Sequence, residues 1–106
     1  GAAAGRVLAA AGVTPAPDTL EPDVRAVLTK VRLGEVDAGL VYRTDVLAAG
    51  DDVEGIDVPE ADAAVTDDPI AVVADAPNPR AAEAFVAHVR GEAGRKVLAD
   101  AGFELP

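Results

Sequence analysis

The sequence predicts an α/β fold, with a mainly parallel sheet flanked by helices. Three observations lead there. Apolar residues recur at helical spacing in residues 22–33 and 79–90, short continuous apolar runs stand at 38–42 and 70–74, and the two patterns alternate along the chain.

Taken in order, residues 1–11 are nearly all helix formers, with Val7, Leu8 and Ala11 on one side and Gly12 as a stop. Residues 14–20 carry Pro15 and Pro17 and read as a connecting loop. The next helix is marked by Pro22 at a first helical position, by Asp23 in the first turn, and by Val24, Val27, Leu28 and Val31 on one face; Gly34 ends it. Residues 38–42, Ala-Gly-Leu-Val-Tyr, form an apolar run before the helix-starting pair Thr44-Asp45, which suggests a buried strand. Residues 53–58 could add a strand, and 59–68 is an acidic, Ala-rich link. Residues 70–74 read as a second buried strand. Pro77-Asn78-Pro79 then breaks the chain and starts a helix to Arg90, whose stripe is Ala82, Phe85, Val86 and Val89. A last helix, residues 92–101, is expected to bury Val97 and Leu98, with Phe103 folding back as a hydrophobic plug after Gly102.

Composition narrows the function. The chain is 106 residues long and half apolar, with only Tyr42, Phe85 and Phe103 aromatic, so the core must be built from small side chains. A net charge of -10, spread along the chain, argues against a nucleic-acid partner. There is no Cys and no Ser, which removes disulfides, Cys-ligated zinc and the Ser- or Cys-based nucleophilic triads. No run is long and apolar enough to span a bilayer, and residues 1–11 lack the pattern of a signal peptide. The absence of Met and the start at Gly1-Ala2-Ala3 lead us to expect a fragment or processed product.

Candidate sites are few. His88, the only histidine, lies off the stripe of its helix with no partner for catalysis and reads as a solvated residue. Asp51, Asp52, Glu54 and Asp57 lack the spacing and glycine of a calcium loop and read as a solvated acidic turn. Gly91, Gly94 and Gly102 form no phosphate-cradling motif. The amides around Asp23, Val24 and Arg25 stand at a helix start, where unpaired N–H groups and the positive end of the macrodipole bind an anion or, at most such ends, only water or a capping side chain. Tyr42, at the carboxyl end of the run 38–42, is either a hydroxyl donor in a ligand crevice or a tyrosine at the edge of the core.

At these residues the chain resembles a known family. Asp23-Val24-Arg25, followed by Gly34-Glu35-Val36-Asp37-Ala38-Gly39-Leu40-Val41-Tyr42-Arg43-Thr44-Asp45, is similar to the segment of periplasmic molybdate-binding proteins that reads roughly D/N-V-R, then G-E-A-D-A-G-I-V-Y-x-T-D, with the same interval of 18 residues from Val24 to Tyr42. Pro69 to Val73, Asn78-Pro79, Ala82, Phe85, Glu92-Ala93 and Ala101-Gly102-Phe103 resemble the family's C-terminal pattern, so the likeness covers nearly the whole chain. It implies the substrate-binding component of an ABC importer, not an enzyme, with the type II periplasmic-binding-protein fold. The ligand would be molybdate or tungstate, bound as an oxyanion between two lobes by neutral donors, here the Val24 backbone N–H and the Tyr42 hydroxyl, with no cation ligands and no cofactor. Oriented neutral dipoles can hold such a dianion without a counter-charge.

The same likeness implies an ABC permease as partner and a periplasmic or other extracytoplasmic place, with a lipid anchor as one form of attachment. Residues 1–66 would be part of the second ligand-binding lobe, and residues 67–106 a crossover strand and C-terminal helices that return to the first lobe. The serine-bearing first lobe has no counterpart here, and Asp68 stands where the pattern has an aromatic residue. The chain is therefore expected to be roughly the last two-fifths of such a protein, to bind weakly alone and to self-associate. Two other classes share this fold, the effector-binding domain of a transcription regulator and a periplasmic-binding-like enzyme. A binder of another oxyanion such as sulfate shares parts of the motif.

Overall fold

All 106 residues are described by the computed structural model. Its elements are α1 (Ala2–Ala10), α2 (Val24–Arg32), α3 (Arg43–Ala49), two 3-10 turns (Gly50–Asp52 and Pro59–Ala64), α4 (Pro79–Arg90) and α5 (Glu92–Asp100). The chain divides into two units, Gly1–Thr66 and Asp67–Pro106.

In the first unit α1 packs on the Pro59–Ala64 turn, and Val7 is the one residue of the chain that is buried. α2 begins two residues later than the Pro22 start expected from sequence, because Asp23 has extended backbone (φ -152°, ψ 169°) and its carboxylate accepts the Ala26 N–H. That is the geometry of an N-cap. The helix stops at Gly34, whose φ of 70° lets the Glu35 N–H reach back to the Lys30 carbonyl (2.9 Å) and its own N–H reach Val31 (3.0 Å). A residue with a Cβ would resist that left-handed turn. Val24, Val27, Leu28 and Val31 are all half-buried on one face, as their spacing requires.

In the second unit α4 has the bounds the sequence indicates, capped by the Asn78 side chain on the Ala81 N–H with Pro79 in its first turn. Gly91 closes α4 and opens α5, so the two helices meet at a one-residue corner and pack together. Phe103 is not the expected plug. Its N–H bonds the Leu98 carbonyl (3.0 Å) while its ring stays 40% exposed, and Val97, expected inside, is 67% exposed with Leu98 half-buried. The helix cap at Gly102, with φ 96°, fixes the direction of the chain there.

The mainly parallel sheet does not form within this chain. No segment pairs into a ladder, neither 38–42, nor 53–58, nor 70–74. The amides of residues 36–41 find no acceptor, Leu40 and Tyr42 are 38% and 45% exposed, and Ile70 and Val73 are exposed as well. The physical reason is that an apolar run suits a segment to a buried strand, whereas a strand exists only through ladder bonds to a second segment, which the run does not specify.

Candidate functional site

The sequence-predicted donors Val24 and Tyr42 fall at the starts of α2 and α3, which touch in the first unit. The residues around the start of α2 set its electrostatics. Asp23 spends its carboxylate on Ala26, and its carbonyl receives the Val27 N–H (3.4 Å). The N–H groups of Val24 and Arg25, the first two of the helix, have no acceptor in the chain. They stand at the positive end of the macrodipole, where they can receive an anion's oxygen.

Just before them, Glu21 is tied down. Its Oε1 lies 2.7 Å from the Lys30 Nζ and accepts from the Thr19 hydroxyl at 2.6 Å, and Lys30 also donates to the Thr19 oxygen at 3.3 Å. The hydrogen bond from Lys30, then that from Thr19, holds the Glu21 carboxyl below its ordinary range, and the bond to Glu21 raises Lys30. This triad pins the Pro-rich loop to α2 and pairs the Glu21 carboxylate with a cation. Sequence reasoning missed it, because Glu21 and Lys30 are nine residues apart, outside the i,i+4 spacing by which helix ion pairs are recognised.

Tyr42 is the N-cap of α3, with extended backbone (φ -81°, ψ 155°). Its N–H donates to the Asp45 carboxylate (3.0 Å), and its carbonyl accepts from Asp45 and Val46. The backbone is thus held at both ends, while the half-exposed hydroxyl has no protein partner and is free to donate. Between the two helices runs Gly39, pressed against Val27 and Val31 of α2. Val27 is one helical turn from Val24, and Gly39 is three residues from Tyr42. The two candidate donors both stand at helix starts, on helices that touch.

The other candidates fall elsewhere. In the acidic turn Asp52 pairs with Arg32 (2.6 Å) and Asp57 with Arg43 (3.2 Å), and no group of carboxylates and histidine is arranged to hold a metal ion. Both pairs are exposed and serve as weak tethers of residues 50–58 to α2 and α3. His88 is exposed on the last turn of α4. Gly91 and Gly94 lie at the helix corner and Gly102 at a helix end.

The starts of α2 and α3 thus offer hydrogen-bond donors that the chain itself does not use. The family model described as bacterial extracellular solute-binding protein matches residues 1–104. The chain belongs to this family. Its members form a class of solute binders, not a class of enzymes. Among curated relatives, the proteins called molybdate-binding protein ModA of Mycobacterium bovis and of Mycobacterium tuberculosis are each 40% identical over all 106 residues. The chain spans 41% of their length. No solved structure matches it. None of its helices is long and apolar enough to cross a membrane.

Proposed function

We propose that this chain carries part of the oxyanion site of a substrate-binding component of an ABC importer, which captures molybdate or tungstate outside the cytoplasm and delivers it to a permease. The Val24 amide and the Tyr42 hydroxyl are donors to the anion. What carries the reading is the 40% identity, over the whole chain, to proteins named for molybdate binding. The unspent amides at the start of α2 and the unpartnered hydroxyl at the start of α3 support it. In this reading the fold is the two-lobed type II fold, residues 1–66 belong to the second lobe, residues 67–106 include the crossover and C-terminal helices, and residues 38–42 and 70–74 are strands of a mainly parallel sheet.

The test is calorimetric titration of the full-length gene product with molybdate, tungstate and sulfate. Molybdate and tungstate should bind, and sulfate more weakly. Tyr42→Phe removes one hydroxyl and keeps the ring, so it should weaken molybdate binding by about 1.5–3 kcal/mol, the range for a hydrogen bond to a charged group. That is about tenfold or more in Kd. The 106-residue chain alone should bind far more weakly than the gene product if the latter supplies further donors. No heat with molybdate or tungstate would remove the function, and equal affinity of Tyr42→Phe and wild type would remove Tyr42 from the site.

A further inference from the structure

Gly39 makes the closest approach in the first unit. A Cβ built on it would fall inside the van der Waals surface of Val27 Cγ1 and stand 3.3 Å from Val31 Cγ2. Its φ lies outside the left-handed region occupied by Gly12, Gly34, Gly50 and Gly102, so no backbone strain requires glycine there. The requirement is space. Both neighbours are β-branched residues within a helix, where one χ1 rotamer dominates, so neither can swing aside to admit a methyl group. The cost of a side chain at 39 must therefore be taken by moving α2 away from the segment that leads to Tyr42.

We infer that Gly39 is a positioning residue. By letting residues 38–42 lie directly on α2, it sets the separation between the Val24 amide and the Tyr42 hydroxyl, and so the size of tetrahedral anion the pair accepts. This rests on the reading that these two groups bind the anion. Val27 is the fourth residue of α2 and Val24 the first, so a displacement at Val27 is carried to the amide end by a rigid helical turn. On the other side, Tyr42 is anchored through Asp45 and moves with α3. Sites of this kind need their donors held to within about 0.5 Å, and the overlap at Gly39 exceeds that.

The test uses the full-length gene product with four sequences: wild type, Gly39→Ala, Gly39→Ala combined with Val27→Ala, and Tyr42→Phe. Titrations with molybdate and sulfate are paired with thermal melts. Gly39→Ala should lose about tenfold or more in molybdate affinity and shift the ratio of molybdate to sulfate affinity, as misplaced donors do. The double variant, which removes the Val27 methyls that block the new Cβ, should return to within about threefold of wild type in both. That rescue separates spacing from mere loss of stability, and it remains readable if Gly39→Ala alone does not fold.

A folded Gly39→Ala protein with wild-type affinity and ratio would overturn the inference. So would a folded double variant that stays as weak as, or weaker than, Gly39→Ala. If Tyr42→Phe leaves molybdate affinity unchanged, Tyr42 is not a donor and the two-donor reading on which the spacing role rests has failed. If Tyr42→Phe weakens binding while Gly39→Ala does not, only the spacing role has.

Discussion

Glu21 and Lys30 show how one side-chain contact ties a loop to the helix that follows it. The Glu21 side chain is 13% exposed, whereas the other ion pairs of the chain are open to water on both sides and contribute little. Because folding lowers the Glu21 pKa, its contribution to stability is present above the ordinary carboxylate value of 4.5 and is lost as pH falls through the lower folded value. Lys30, raised, contributes fully below its ordinary 10.5 and loses that contribution as pH rises through a folded value above 10.5. The pair therefore works across the neutral range. Glu21→Gln should lower Tm at about pH 7, and its deficit relative to wild type should be smaller at about pH 3, because the carboxylate's contribution is lost as pH falls from its ordinary value through the lowered folded one. Thermal melts at the two pH values check this, and a deficit that does not depend on pH would show that the ion pair contributes nothing.

At the scale of elements, two helical glycines lead to opposite outcomes. Gly5, in α1, has nothing near the place a Cβ would occupy, so Gly5→Ala gains helix propensity alone and should stabilise by about 0.5–1 kcal/mol. Gly94, in α5, faces the end of α4. A Cβ there would overlap the Val89 carbonyl and stand 2.6 Å from the His88 carbonyl oxygen. These are backbone atoms, which cannot rotate away. Overpacking of about 1–3 kcal/mol then outweighs the propensity gain, and Gly94→Ala should destabilise. Denaturant titrations of the two variants read the signs, and a neutral or stabilising Gly94→Ala would show that the α4–α5 corner is loose.

For the whole molecule the decisive quantity is surface. The chain exposes 8335 Å², whereas two separate compact bodies of its unit lengths would expose about 6,500 Å². Phe85, at 62%, Val97, at 67%, and Val73, at 73%, contribute to the excess. Exposed large apolar side chains of this kind favour association, and the net charge of -10 opposes it. The charge is screened by salt, whose Debye length falls from about 10 Å at 0.1 M to about 3 Å at 1 M, and the apolar surface is not. Sedimentation of the 106-residue chain should therefore show association that grows with salt. A monomer at both ionic strengths and high protein concentration would refute it.

The local elements were written in the sequence. The bounds of α4, the apolar face of α2 and the stop at Gly34 follow from proline, glycine and helical spacing, because those signals act over one or two turns. The positions of Val24 at a helix start and of Tyr42 just before the next helix were legible for the same reason, since both are local features, whereas their role as donors is a proposal. Tertiary structure alone decided the rest: that residues 38–42 and 70–74 find no ladder within this chain, that Phe103 and Val97 stay exposed, that Lys30 reaches Glu21, and that Gly39 lies against Val27. Each of these depends on which distant segment comes close, and a residue pattern specifies what a segment can bury without naming the partner against which it is buried.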